Sequence, residues 1–295
     1  MATLLCFGLG YAAEHFISRF GERFQRIVGT VRGAERAAVL NARLAGRATV
    51  LPFDGTSATP ELMRAVADAD AALVSIPQTE QGDPVLGAFA APLAASRRLR
   101  SVVYLSTVGV YGDHGGAWVD EETPPRADSE RLRKRLLAER AWQDFATRSG
   151  AAVAVLRLAG IYGPGRNALA QLMRGEARRI AKPGQVFNRI HVADVAQAIA
   201  AALSSAAAGV FNVADDEPSP PGDPLVFAAR LLGREPPPEV PFAEAAASLS
   251  PLAMSFWQGC RRVRNDKLKR ELRVALDFPT YREGLRALFN AGSVP

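Results

Sequence analysis

The residues Thr3–Phe7 run directly into Gly8-Leu9-Gly10-Tyr11-Ala12-Ala13, and a helical pattern then continues through Phe20. A strand, a glycine turn and a helix in that order constrain this chain more than any other feature. Gly8 permits a tight turn, Gly10 presents no side chain to a group nearing the backbone, and Ala13 lets helix and strand pack closely. The helix start offers unbonded N–H groups and the positive end of its dipole, which suits phosphate. The element reads as the pyrophosphate cradle of a dinucleotide-binding fold, with contacts expected at Gly8, Gly10, Tyr11 and Ala13.

The chain keeps the same alternation beyond this unit. Strands are expected at about Arg26–Val31, Ala48–Phe53, Ala71–Ile76, Ser101–Leu105 and Ala152–Leu156. Helices are expected at about Ala34–Leu44, Pro60–Ala69, Pro84–Arg97 and Ser129–Ser149. Apolar runs alternating with helical patterns predict an α/β, Rossmann-type doubly wound parallel sheet. In such folds an acid about 20 residues past the glycines binds the adenine-ribose 2′-hydroxyl. Here the second strand ends Gly29-Thr30-Val31-Arg32, and no acid follows until Glu35. Thr30 and Arg32 are therefore expected at the adenosine end, with Arg32 facing a 2′-phosphate. NADP is the preferred cofactor and NAD the alternative. Ser75, Ile76 and Pro77, after the fourth strand, are expected to line the cofactor's middle.

Charge raises a competing class. The chain carries 36 Lys and Arg against 30 Asp and Glu, for a net charge of +6. The basic residues are nearly all arginine and are spread along the chain, with short clusters only at Arg131–Arg135 and Arg261–Arg264. No nucleic-acid-binding module is visible, so attraction to anionic small molecules is the reading retained. Two cysteines make no disulfide framework, no run has the length of a membrane span, and no basic leader opens the chain. A cytoplasmic protein without a metal site is expected.

The segment Val102–Leu105 has the length of a buried strand, and Ser106 and Thr107 stand at its carboxyl end, where ligands of open α/β sheets lie. An ordinary strand end with a polar cap is the alternative. Val110-Tyr111-Gly112 follows. Later come Arg157-Leu158-Ala159-Gly160-Ile161-Tyr162-Gly163-Pro164-Gly165, then Asn188-Arg189-Ile190-His191-Val192-Ala193-Asp194-Val195, then Gly209-Val210-Phe211-Asn212-Val213. In this order and spacing these segments resemble the extended and atypical short-chain dehydrogenases of the NAD(P)-dependent epimerase/dehydratase type, over nearly the whole chain. The resemblance implies a dinucleotide domain over 1–163 plus about 190–213, and a smaller substrate lobe over 164–189 plus 214–295. It implies that Thr107 polarises the reacting oxygen, that Ser106 and Gly160 border the cofactor, and that Asp54 hydrogen-bonds the adenine. It makes Arg166 and Arg189 anion contacts, and it brings the Asp194 carboxylate to cap a helix. His191 falls on the substrate side or is packed beneath the junction of the lobes.

The catalytic Tyr-x-x-x-Lys of that family has no counterpart here. The helix reads Ser129-Glu130-Arg131-Leu132-Arg133-Lys134-Arg135-Leu136-Leu137-Ala138-Glu139. Aligning Glu139 with the family's glutamate places Arg135 at the lysine and Arg131 at the tyrosine. Arginine cannot exchange a proton near neutrality. Arg135 can hold the nicotinamide ribose as a cation, and Tyr111 or Tyr162 would have to substitute as the acid. Two functions follow as expectations. One is an NAD(P)-dependent oxidoreductase or epimerase/dehydratase-like enzyme acting on a small or nucleotide-linked sugar or carbonyl compound. The other is a dinucleotide-binding sensor without turnover. The expected partner is a small molecule, not nucleic acid or membrane, with a homodimer among the assemblies allowed.

Overall fold

The computed structural model describes residues 2–292. Four strand–helix units come first: β1 (Thr3–Phe7) with α1 (Tyr11–Phe20), β2 (Arg26–Val31) with α2 (Ala34–Arg43), β3 (Thr49–Pro52) with α3 (Pro60–Asp68), and β4 (Ala71–Val74) with α4 (Pro84–Ala95). β5 (Ser101–Thr107) leads through a 3-10 turn, Val108–Tyr111, and the short β6 (Trp118–Val119) to α5 (Glu130–Ser149) and β7 (Ala152–Leu158). Next come β8 (Gly160–Tyr162), α6 (Ala168–Met173), β9 (Arg179–Ala181), β10 (Arg189–His191), α7 (Val192–Ser204) and β11 (Gly209–Val213). The chain closes with α8 (Asp223–Leu231), β12 (Glu239–Pro241), α9 (Phe242–Ala246), α10 (Pro251–Ser255), β13 (Arg262–Val263), α11 (Asp266–Glu271) and α12 (Tyr281–Asn290).

Seven strands form one parallel sheet in the order β11-β7-β5-β4-β1-β2-β3. The order reverses between β1 and β4, which opens a crevice at their carboxyl ends. β1 shows why the sheet is buried on both faces. Leu4 and Cys6 join a core with Phe16 of α1, Leu40 of α2 and Ile199 of α7. Leu5 and Phe7 point the other way, to Leu62 of α3, Phe89 of α4 and Trp142 of α5. β5 runs two residues beyond its expected end, because Ser106 and Thr107 pair with Arg157 and Leu158. Three two-stranded pairs, β8–β10, β9–β12 and β6–β13, lie outside the main sheet. Each joins segments distant in sequence and is too short to leave a periodic signal.

A polar network crosses the core behind β5. The Glu139 carboxylate accepts from Arg157 Nη2 at 2.7 Å and Nε at 3.2 Å, and also from the Ser106 hydroxyl. Both charged side chains are almost fully excluded from water, at 2% and 5% exposure. The Arg157 guanidinium lies 4.9 Å over the Tyr111 ring, whose hydroxyl donates to Asn212 Oδ1 at 2.8 Å. Helix α5, β5, β7, β11 and the 3-10 turn thus meet at one ion pair. A second device starts α7. His191 Nδ1 accepts from the Ala193 amide at 3.2 Å and caps the helix. Asp194 does not cap it, contrary to expectation. Its carboxylate accepts instead from the amides of Asp277 at 2.7 Å and Phe278 at 3.1 Å, because its first-turn position faces the chain entering α12.

Glu139→Gln leaves the Arg157 charge buried without a counter-charge, which costs about 3–5 kcal/mol. Urea denaturation is expected to show a loss of that size; a change below about 1 kcal/mol would show that the pair does not hold the core. His191 supplies a test by pH. Burial pulls its imidazole from 6.5 down to about 4, with His15 adding to the effect. The folded-state value lies below the unfolded one, so this stability is complete above about pH 6.5 and is lost as pH falls toward 4. The window corresponds to about 3 kcal/mol. Asp194, which burial pushes up to about 6, works in the opposite direction, so the contribution of His191 is read from the difference between a His191 variant and the parent protein. His191→Asn keeps a capping side chain and is expected to lose less stability between pH 7 and pH 4.5 than the parent protein, measured by urea midpoints.

Candidate functional site

The crevice between β1 and β4 begins at the glycine turn. Gly8 has φ +96°, and a Cβ there would lie 2.8 Å from Ser75 Oγ, so only glycine fits. The turn is pinned from below: the Gly8 amide donates to Thr30 Oγ1 at 3.1 Å, and Ser75 Oγ donates to Gly8 O at 2.8 Å. Gly10 is the N-cap of α1 and brings no side-chain cap. The first intrahelical bond is Glu14 N–H to Gly10 O, which leaves the amides of Tyr11, Ala12 and Ala13 open. A Cβ on Gly10 would meet nothing within 4 Å, so the space over these amides is free. This cradle fits a pyrophosphate.

Other expected contacts divide. Arg32 follows β2, is exposed and forms no ion pair among the described residues. Asp54 Oδ1 accepts from Thr56 N, Thr56 Oγ1 and Ser57 N, and these bonds, Ser57's foremost, hold its carboxyl below the usual range. Oδ2 is left for a ligand. Past β4, Ile76 is half-buried and Pro77 is exposed. Thr30 and Ser75 serve differently from expectation: Thr30 is wholly buried, and both hydroxyls are engaged with the glycine turn. Ser106 likewise turns its hydroxyl inward to Glu139.

A cavity of about 770 Å³ lies at the carboxyl end of β5 and extends beneath the last third of the chain. Thr107, Arg131, Gly160, Tyr162, Arg166 and Arg189 line it, as does Arg261. Thr107 Oγ1 accepts from the Gly109 amide at 3.0 Å, which orients the hydroxyl and leaves its hydrogen to donate. Arg189 is held by the carbonyl of Phe187 at 3.1 Å and by Ser219 Oγ at 2.8 Å. Arg166 stacks over the Tyr11 ring at 6.0 Å, and the Tyr11 hydroxyl donates to Pro164 O at 3.1 Å. Arg135 lies outside the cavity lining. It donates to Leu105 O at 3.0 Å and to the Tyr104 hydroxyl at 3.1 Å, which fixes a cation at the end of β5. Gln78 completes that group from the segment after β4.

Two expectations are corrected. Tyr111 is fully buried and bonded to Asn212, so its phenol cannot reach a ligand in the cavity. His191 caps α7 while packed against Tyr162 at 5.1 Å and Phe278 at 4.1 Å, and it does not line the cavity. Tyr162 does line it. Its hydroxyl donates to Thr280 O at 3.3 Å, and burial together with nearby carboxylates raises its pKa far above the usual phenol range. The loop at His114 is tied to the Cys260 carbonyl through the amides of His114 and Gly116. Sequence reasoning missed Asp128, Arg261 and the apolar wall of Leu252, Phe256 and Trp257. Only Arg261 left a signal, in the basic cluster 261–264.

Comparison with known proteins agrees with this geometry. A profile of the NAD dependent epimerase/dehydratase family matches residues 88–214. A 3-diazoavenalumate denitrifying reductase from a Streptomyces species is 31% identical over 206 residues, covering 66% of this chain and 66% of that protein, just under two thirds of its length. The structure of a conserved protein of unknown function from Silicibacter pomeroyi is 42% identical, covers 99% of both chains and superposes with a TM-score of 0.86. A human epimerase family protein solved with NADPH shares the fold at 18% identity and a TM-score of 0.71, covering 98% of both chains. Residues 88–214 thus match the NAD dependent epimerase/dehydratase family, while α5 has no tyrosine where the resemblance places that of the Tyr-x-x-x-Lys element.

Proposed function

We propose that this protein is an NADP(H)-dependent oxidoreductase that reduces a small substrate held by the lobe 164–189 plus 214–295. The observation that carries the reading is the open amide cradle at Gly10 on one side of β5, with a free Thr107 hydroxyl in a large cavity on the other. A nicotinamide dinucleotide bound in the crevice supplies hydride exchange with a substrate carbon. The amides of residues 11–13 hold the pyrophosphate. Arg32 meets the 2′-phosphate, Asp54 the adenine, and Ile76 and Pro77 the middle of the cofactor. Arg135 presents its guanidinium to the ribose hydroxyls. The Thr107 hydroxyl donates to the reacting group of the substrate. Arg131, which lines the cavity at the family's tyrosine position, stabilises negative charge there as it develops and supplies no proton, so any proton needed comes from solvent. The Streptomyces relative, named as a reductase, supports the direction of transfer. The free thiols Cys6 and Cys260 support a cytoplasmic site of action, and a homodimer is the assembly we favour.

A sensor without turnover is the second reading, favoured because, of the two phenols lining the cavity, Tyr162 is bonded to a backbone carbonyl and Tyr281 has its ring covered by the guanidiniums of Arg189 and Arg282. Substrate-dependent oxidation of NADPH would exclude it.

Gly10→Val is expected to lower NADPH affinity about a hundredfold or more, equivalent to about 2.7 kcal/mol, with the melting temperature unchanged. Calorimetric titration with affinity retained would show that the turn holds no phosphate. Arg32 offers a charge-assisted contact worth about 1.5–3 kcal/mol, so NADP(H) is expected to bind about tenfold or more tighter than NAD(H). Arg32→Ala is expected to abolish that difference and leave NAD(H) affinity unchanged. Equal affinities in the parent protein would overturn the assignment.

A further inference from the structure

The cavity carries an unusual charge imbalance. Its lining holds five arginines, at 131, 166, 178, 189 and 261, and a single carboxylate, Asp128. Among the described residues none of the five forms an ion pair, whereas arginines elsewhere on the chain pair with Glu14, Asp70, Glu217 and Asp277. Two of them flank the Thr107–Gly112 turn. Arg261 Nη1 donates to Gly112 O at 2.7 Å, and its buried Nε has no partner. Arg131, from the first turn of α5, has no hydrogen bond. Both lie within the electrostatic reach of Asp128, and burial lowers the pKa of each guanidinium. Arg131 is exposed to the cavity and Arg261 half-buried, and the two cations share one counter-charge beside the reactive hydroxyl.

Another part of the lining is apolar. Leu252 of α10 and Phe256, just past its end, remain 57% and 54% exposed, although leucine and phenylalanine of a closed core would be buried. Trp257 and Phe187 stand behind them with their rings 5.1 Å apart. A sugar ring at the Thr107 end would offer only neutral hydroxyls to the two guanidiniums and would leave their charge uncompensated. An anionic head would pair with them in the fork geometry that arginine provides.

We propose that the substrate is a small amphipathic carboxylate: a flat unsaturated or aromatic body against Leu252, Phe256 and Trp257, with its anionic head clamped by Arg131 and Arg261 next to Thr107. This rests on the reading of the same cavity as the reduction site. It differs from a nucleotide sugar in placing the anion at the reacting end rather than on a distant diphosphate.

The test is calorimetric titration of NADP+-loaded protein with trans-cinnamate, its neutral counterpart cinnamyl alcohol, phenyl phosphate and UDP-glucose. Cinnamate is expected to bind at least about tenfold tighter than cinnamyl alcohol, and Arg131→Ala and Arg261→Ala are each expected to abolish that preference. Arg261→Lys can still reach the Gly112 carbonyl, so a fold defect is distinguished from a lost clamp. Cinnamate above phenyl phosphate assigns the head as carboxylate. Phenyl phosphate above cinnamate would overturn the carboxylate assignment. Equal binding of acid and alcohol, indifference of both alanine variants, or tighter binding of UDP-glucose than of cinnamate would overturn the proposal as a whole. NADPH affinity measured on the same samples reports the cofactor site separately. Its absence would remove the proposed function, while the anion preference remains measurable on cofactor-free protein.

Discussion

The geometry of the site depends on the ion pair between Glu139 and Arg157. Two charges almost sealed from water are tolerable only where they meet in good geometry with their remaining valences occupied, and the bidentate contact with the added Ser106 hydroxyl supplies that. The pair locks α5 against β5 and β7 at one rotational setting. Arg135 and Arg131 lie four and eight residues before Glu139, hence near the same face of the helix. The buried carboxylate therefore also aims two guanidiniums, one to the end of β5 and one into the cavity. Because Ser106 turns inward to the pair, the next residue of the strand, Thr107, turns outward.

Much of the frame was legible because local chemistry and global fold agree there. The glycine turn at residues 8–13, the alternating strands and the Arg32 terminus of β2 each carry their physical reason within a few residues. The cavity was not legible in that way. Arg261 reaches the Gly109–Gly112 turn across about 150 positions of chain, and β6 meets β13 through only two residues each. Pairings of that kind leave no period to detect. His191 and Tyr111 show the opposite failure. Their motifs were recognised, yet a motif specifies a residue's place and not the direction of its side chain, and both turn into the interior. Thr30 and Ser75 were assigned to the ligand, whereas they hold the turn that would hold it.

Replacing the family's tyrosine by Arg131 alters more than the source of a proton. A phenol is neutral until it reacts, so it leaves the cavity's field unchanged. A guanidinium is charged at all times and biases which molecules enter. With Arg166, Arg178, Arg189 and Arg261 also on the lining, the proposed function gives selection by charge and stabilisation of charge to the same groups.

The path of the chain has a consequence for the order in which the protein is built. The cradle is complete once residues 3–75 have paired, since β1, β2 and β4 are neighbours in the sheet. The cavity needs α10, Trp257 and Arg261, which emerge from the ribosome long after the cradle. A nascent chain thus acquires its nucleotide-holding half well before its selective half. Until α10, Phe256 and Trp257 dock, as N-terminal-first folding during synthesis implies, it exposes the arginines of the lining without their apolar counterpart.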